Sequence, residues 1–209
     1  MAFAKGKSTE LACIEGTIDV FKEMICEFPL IIKDKSNSFD EKIRKSAKEM
    51  SGGYDDIELS CYLQLSEFNL YAEWEFHFLR SFVATIYSFY ERMLKRFFDK
   101  NNMQFLIKKG SCSKTKKYFQ SIEEYINRYN LALTPKTREL FCEIEKTHRE
   151  LRNKLVHNDT EVILIDSMAS LIDEKFLIEF LDSVKSILLD IIEKLEIIYK
   201  QNNVSVYLQ

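Results

Sequence analysis

Between Phe78 and Phe98 two apolar rows run side by side. Phe78, Phe82, Ile86, Phe89, Met93 and Phe97 form one, and Val83, Tyr87, Tyr90, Leu94 and Phe98 form the other. Side chains three and four apart share a helix face, so each row is a helical stripe. Two adjacent stripes require a helix that buries more than half of its circumference, which makes it the central helix of a bundle. The aromatic row also has the composition of a base-stacking platform, but core packing explains it without further assumptions.

Composition removes the alternatives. Sandwiches, barrels and propellers need Gly and Pro at their reversals, and phosphate-cradling loops need several Gly in a short window. Five Gly and two Pro in 209 residues supply neither, which leaves an all-α chain. A hydrophobic fraction of 46% with 13% aromatic residues excludes disorder. The net charge of −3 provides no bulk electrostatic case for nucleic-acid binding, so any such case rests on charge distribution. Cys13, Cys26, Cys61, Cys112 and Cys142 are odd in number, scattered and free of any C-x-x-C pair. They predict reduced, mostly buried thiols in a cytoplasmic protein. The N-terminus lacks the apolar run of a signal peptide, and no stretch approaches the ~20 apolar residues that span a bilayer, so no membrane partner is expected.

Along the chain, Leu11, Ile14, Ile18, Phe21 and Ile25 predict a first amphipathic helix stopped by Pro29. Ser38 with Glu41 is a capping-box pattern opening a charged, peripheral segment that runs to Gly52-Gly53. A new helical pattern begins after Asp55-Asp56 and passes, with a break near Asn69, into the aromatic helix. Asn101 to Ser113 reads as a lysine-bearing loop and Thr115 to Tyr129 as an amphipathic helix. Thr134-Pro135 pairs an N-cap residue with Pro at the first helical position, and Leu140, Ile144, Leu151 and Leu155 mark the core face that follows. Asn158-Asp159 ends that helix, and Val162 to Ile165 is a short strand or extended run. Asp173 caps a last helix carrying Phe176, Phe180, Val184, Ile187, Ile191, Leu195 and Ile198. The expected fold is an antiparallel helical bundle with a long central aromatic helix and a long C-terminal helix. Residues 1–72 form an N-terminal extension or layer on the bundle of residues 73–209, the whole being one compact unit.

Charge is unevenly spread. From Glu91 to Lys117 nine basic residues face two acidic ones, a local excess of +7, and from Asp159 to Glu196 ten acidic residues face three lysines, an excess of −7. Such blocks are commonly solvated faces. Lys108, Lys109, Lys114, Lys116 and Lys117 gain meaning if a phosphate-handling site lies near them.

No H-E-x-x-H, Walker loop, G-x-G-x-x-G, G-x-S-x-G or EF-hand loop occurs. Of the three histidines, His77 sits on the aromatic helix between Phe76 and Phe78, which offer nothing to activate it. His148 and His157 belong to the segment Thr147 to Asp159, which also holds Arg149, Arg152, Asn153 and Asn158. Cleaving an RNA phosphodiester without a metal needs few side-chain types. A group with pKa near 7 must move the proton of the 2′-hydroxyl or of the leaving oxygen, and His does so unperturbed. A fixed cation must stabilise charge building on the phosphoryl oxygens, and the planar fork of Arg suits that geometry.

Arg152-Asn153-Lys154-Leu155-Val156-His157 resembles the R-x4-H motif, with a polar residue after the Arg, of HEPN-domain proteins. That helical superfamily is rich in metal-independent endoribonucleases of toxin–antitoxin and anti-phage systems, and the resemblance covers roughly Trp74 to Lys200. It implies an RNA-cleaving nuclease without cofactor or metal. His157 would be general acid/base, Arg152 would stabilise the phosphorane, and Asn153 would position the phosphate or His157. It also implies a homodimer with the two motifs facing each other in a shared cleft, and an antitoxin or defence-complex protein as a further partner. The lysines at 108, 109, 114, 116 and 117 would guide the RNA backbone.

At 100° per residue Arg152 lies about a quarter-turn from the core face and Asn153 and His157 fall outward, so the motif faces away from its own core. Arg152 and His157 are about 140° apart on an unbroken helix. Either the last turn loosens or a second copy completes the site. Other readings stay open. Basic residues in a last turn also stabilise the helix dipole. A helical protein that binds a partner or a nucleotide without catalysis would keep the same polar helix end, with His148 as a neighbour of Arg152.

Overall fold

Two helices of 42 and 44 residues open the fold, α1 over Thr9–Met50 and α2 over Ile57–Lys100. The computed structural model describes residues 9–50, 57–105, 113–157 and 172–206; the side chains of residues 9, 36, 40, 57–76, 156–157 and 203–206 are outside that description. The remaining elements are α3 (Lys114–Asn127), α4 (Pro135–Glu143), a π-helical turn (Ile144–His148), α5 (Arg149–His157) and α6 (Glu174–Val206). All-α is therefore the fold class, with no strand among the described residues.

Cross-helix pairs give the directions. Lys100, at the end of α2, meets Glu10, at the start of α1, at 2.7 Å, so these helices are antiparallel. Lys22 meets Asp182 at 2.6 Å and the Cys26 thiol meets Glu174 at 3.2 Å, which runs α6 antiparallel to α1. Arg80 donates to the Leu155 carbonyl, and Arg152 lies over Tyr87, so α5 runs back along α2. Phe119 stacks on Phe141 with ring centroids 3.8 Å apart, and Arg138 pairs with Glu123, bringing α4 back along α3.

Helix α2 is central, touching α1, α3, α5 and α6. Both of its rows are buried from Phe82 to Phe98, and Phe78 is half-buried. In α6, Leu177, Leu181, Leu188 and Ile192 join the predicted stripe, so its buried face is also wider than a single row. Asn102 ends α2 in a left-handed conformation with φ 50°. The amide of Met103 bonds to the Phe98 carbonyl at 3.2 Å and that of Asn102 to Asp99 at 3.1 Å, a Schellman ending with Asn in the place Gly usually takes.

Several local stop signals are overridden. Pro29 does not end the first helix; α1 passes through it to Met50, and the capping-box pair Ser38 and Glu41 lies inside the helix. Pro removes an N–H and crowds the carbonyl four residues back, at roughly 3 kcal/mol. Ile25 and Ile32 are buried on either side of it, and Phe28 stacks on Phe78 at 3.4 Å with the rings 9° apart. Burial of Ile25 and Ile32 and the Phe28–Phe78 stack thus hold the helix on both flanks of the proline. The break expected near Asn69 is also absent, because α2 is continuous from Ile57 across residues 72 and 73. Cys13, Cys26 and Cys142 are free thiols but exposed, correcting the expectation of buried ones; each lies on an outer helix face. Asn158-Asp159, Val162 to Ile165, Cys112 and the side chain of Cys61 lie outside the described residues. Among those described, no helix is long and apolar enough to cross a membrane.

The α4 start carries out its sequence signal. Thr134 accepts from the Thr137 amide at 3.2 Å with Pro135 at the first position, and Asp190 of α6 accepts from the Thr134 amide at 2.8 Å and the Thr137 hydroxyl at 2.7 Å. The carboxylate sits at the positive end of the α4 dipole and clamps α4 to α6. Asp173 caps α6 through the Phe176 amide at 2.7 Å. Two stability changes follow. Pro29→Ala restores the missing amide and raises stability by up to about 3 kcal/mol in denaturant unfolding. Asp190→Ala removes the acceptor of the Thr134 amide and of the Thr137 hydroxyl, and lowers stability by roughly 3 kcal/mol in the same measurement.

Candidate functional site

The segment bearing His148 and His157 is a rod made of α4, the π-helical turn and α5, clamped at its start by Asp190. A π turn is wider than an α turn and advances less per residue. Its residues Glu145 and His148 are therefore turned further apart than three residues of α-helix would place them. Glu145 faces α2 and α3, and His148 faces α6.

Glu145, with 10% of its side chain exposed, is the centre of a polar cluster. Its Oε1 accepts from the Tyr87 hydroxyl at 3.0 Å, and its Oε2 accepts from the Ser113 hydroxyl at 2.5 Å, with Arg149 Nη1 at 3.9 Å. The single phenolic proton goes to Glu145, so Thr115 Oγ1, 3.0 Å away, donates to Tyr87. Burial pushes the Tyr87 phenol well above its usual range, and Thr115 opposes this only partly, so the residue is a neutral donor. Tyr90, fully buried one turn on, has a hydroxyl without a partner among the described residues, and burial raises its pKa as well.

Arg152 is half-buried. Its guanidinium carbon lies 5.9 Å from the centre of the Tyr87 ring, Nη1 donates to Asn153 Oδ1 at 3.0 Å, and Nε is buried without an acceptor among the described residues. Arg152 is therefore turned toward α2, which corrects the expectation that the whole motif faces away from the core; the Tyr87 face attracts the cation inward. The last turn does not loosen either, since α5 stays α-helical to His157 and the irregularity comes one turn earlier. Around α5 the Arg152 and His157 positions remain about 140° apart. The side chain of His157 lies outside the described residues.

Arg80 of α2, rather than a motif residue, donates to the Leu155 carbonyl at the end of α5, and Lys154 pairs with Glu150 at 3.2 Å. Arg80 thus stabilises the end of α5, while Arg152 is held against Tyr87 and Asn153. Of the basic block, Lys114 and Lys116 are exposed and Lys117 is half-buried on the first turn of α3. Ser113 caps that turn through the Lys116 amide at 3.0 Å and also reaches Glu145, joining the lysine-bearing helix start to the motif rod. Lys108 and Lys109 lie outside the described residues.

His148 takes no part in this cluster. Its ring stacks on Phe180 at 4.0 Å and Phe176 at 5.2 Å. Burial lowers its pKa to about 4, against a weaker opposing pull from the Glu143 backbone. His148 is a neutral core residue at pH 7. His77 is exposed on α2. Sequence reasoning missed Ser113, Thr115 and Glu145 and read Tyr87 only as core. Two signals were present: a Tyr inside a buried row needs a partner for its hydroxyl, and Glu145 and Arg149 are four apart on the face that leads to Arg152. Among the described residues no three His, Cys, Asp or Glu side chains converge as a metal site requires.

Comparison with protein-family models, curated proteins and solved structures finds no match to this chain.

The low pKa of His148 sets a pH dependence. The folded state holds the ring neutral down to about pH 4, whereas the unfolded chain takes up a proton near pH 6.5, so stability falls as pH drops through that window. Between pH 7.5 and 4.5 the wild type loses about 2–3 kcal/mol more than His148→Phe, measured by urea unfolding at each pH.

Proposed function

We propose that this chain is a HEPN-type, metal-independent endoribonuclease, a toxin or anti-phage effector. The observation that carries this reading is the pairing of Arg152 and Asn153, 3.0 Å apart, two turns after Glu145 on a helix whose last residue is His157. The resemblance of the R-x4-H motif supplies the chemical class. In the reaction the RNA 2′-oxygen attacks phosphorus, the 5′-oxygen leaves, and the products are a 2′,3′-cyclic phosphate and a 5′-hydroxyl. One proton is removed from the 2′-oxygen and one is delivered to the 5′-oxygen, and His157 transfers protons near neutral pH. Arg152 stabilises the charge on the non-bridging oxygens, and Asn153 fixes the direction of its guanidinium. A homodimer brings a second His157 and overcomes the 140° separation on one helix. Lys114, Lys116 and Lys117 attract the backbone, which makes binding weaken as salt rises.

A second reading, a HEPN-like protein that binds a partner or a nucleotide without cutting RNA, draws on the half-burial of Arg152 over Tyr87. One assay separates them. Single-stranded RNA incubated with the protein in EDTA is cut to cyclic-phosphate ends, and His157→Ala and Arg152→Ala each slow cleavage by about 100-fold or more. Cleavage that chelator abolishes, or that survives both substitutions, removes the endoribonuclease reading; binding without turnover favours the second.

A further inference from the structure

We infer that Tyr87 is the positioning residue for Arg152, a ring on α2 that aims the guanidinium of α5 at the RNA phosphate. This rests on the endoribonuclease reading and adds to it a residue 65 positions from the motif, on a different helix.

The geometry has three parts. Tyr87 is 3% exposed, and its hydroxyl is held by Glu145 on one side and Thr115 on the other, each at 3.0 Å. Glu145 is in turn held by Ser113 and Arg149, so the far end of the ring is fixed by α3 and the π turn together. The face of that ring carries Arg152 at 5.9 Å. A cation over an aromatic face is attracted without using its N–H groups, which stay in the guanidinium plane for an acceptor. Here Nε is turned into the protein with no acceptor among the described residues and Nη1 holds Asn153, so the buried edge of the fork faces inward. Arg is a long side chain that loses rotamer freedom when it acts, and a platform that removes this freedom beforehand lowers the barrier to phosphoryl charge stabilisation. The contact acts on the transition state more than on RNA binding, so its loss appears in kcat.

The test uses the full chain, an RNA substrate and EDTA, with kcat and KM measured for wild type, Tyr87→Phe, Tyr87→Leu, Arg152→Ala and the Tyr87→Leu/Arg152→Ala double variant. Tyr87→Phe keeps the ring and stays within about fivefold of wild type, while Tyr87→Leu loses kcat by about 10- to 100-fold with KM changed less than about threefold. In the Arg152→Ala background Tyr87→Leu causes no further loss, because the residue it positions is gone. Should the Leu variant fail to fold, pentafluorophenylalanine at position 87 keeps the ring shape but inverts the polarity of its face, and kcat falls as expected for Leu. If the wild type does not cut RNA, both the reading and this role are overturned. If the wild type cuts and Arg152→Ala does not, but Tyr87→Leu and the pentafluorophenylalanine variant keep their kcat, or the loss from Tyr87→Leu adds to that of Arg152→Ala, only the role of Tyr87 is overturned.

Discussion

Helix α2 presents apolar side chains around more than half of its girth, and the other elements are arranged by the need to remove that surface from water. Fully burying a Leu, Ile or Phe side chain contributes about 1.5–3 kcal/mol, and α2 has Ile86, Tyr90 and Leu94 at complete burial. No single partner helix covers so wide a face. Helices α1, α3, α5 and α6 each take part of it; α1 and α5 run antiparallel to α2, and α6, antiparallel to α1, runs in the same direction as α2. Two polar clamps, Glu10 with Lys100 and Asp190 with Thr137, fix the register of α1 on α2 and of α4 on α6.

Burying α2 also buries polar atoms. Two tyrosines bring hydroxyls into the interior, and they are treated differently. Tyr87 finds Thr115 and Glu145, which brings a carboxylate, two hydroxyls and an arginine into the junction of α2, α3 and the π turn. Tyr90 finds no partner among the described residues. A buried hydroxyl without a partner costs about 1–3 kcal/mol, so the second tyrosine is an expense of the packing. The cluster around Tyr87 is the place where core and candidate site meet, because the ring that completes the core also carries the arginine of the motif.

Much of the fold was legible in the residues. The stripes of α1, α2 and α6, the Thr134-Pro135 start and the Asp173 cap all depend on spacing or on chemistry within a few residues, and they appear where the spacing places them. Local signals failed where long-range packing was stronger. Pro29 is a helix breaker by its own chemistry, yet the burial of Ile25 and Ile32 and the stacking of Phe28 on Phe78 of α2 keep α1 helical through it. The capping pair Ser38 and Glu41 fails for a related reason. A cap satisfies amides left open at a helix start, and in the middle of α1 the preceding turn already satisfies them.

The candidate site divides along the same line. Arg152, Asn153 and His157 are neighbours in the chain, so their presence on one helix end was determined by the sequence itself, as were the all-α class, the central aromatic helix and the two opposed charge blocks. Periodicity requires only local geometry, and a helix face can be counted from residue numbers. What lies under Arg152 cannot be counted that way. Tyr87, Ser113, Thr115 and Glu145 come from α2, the start of α3 and the π turn. They meet only because four helices share one buried helix, and because a widened turn points Glu145 to one side of the rod and His148 to the other. Only the tertiary structure decided that His148 is a core residue and that the arginine of the motif rests on an aromatic ring. Burial and cross-helix contact are set by the whole packing and not by any one segment.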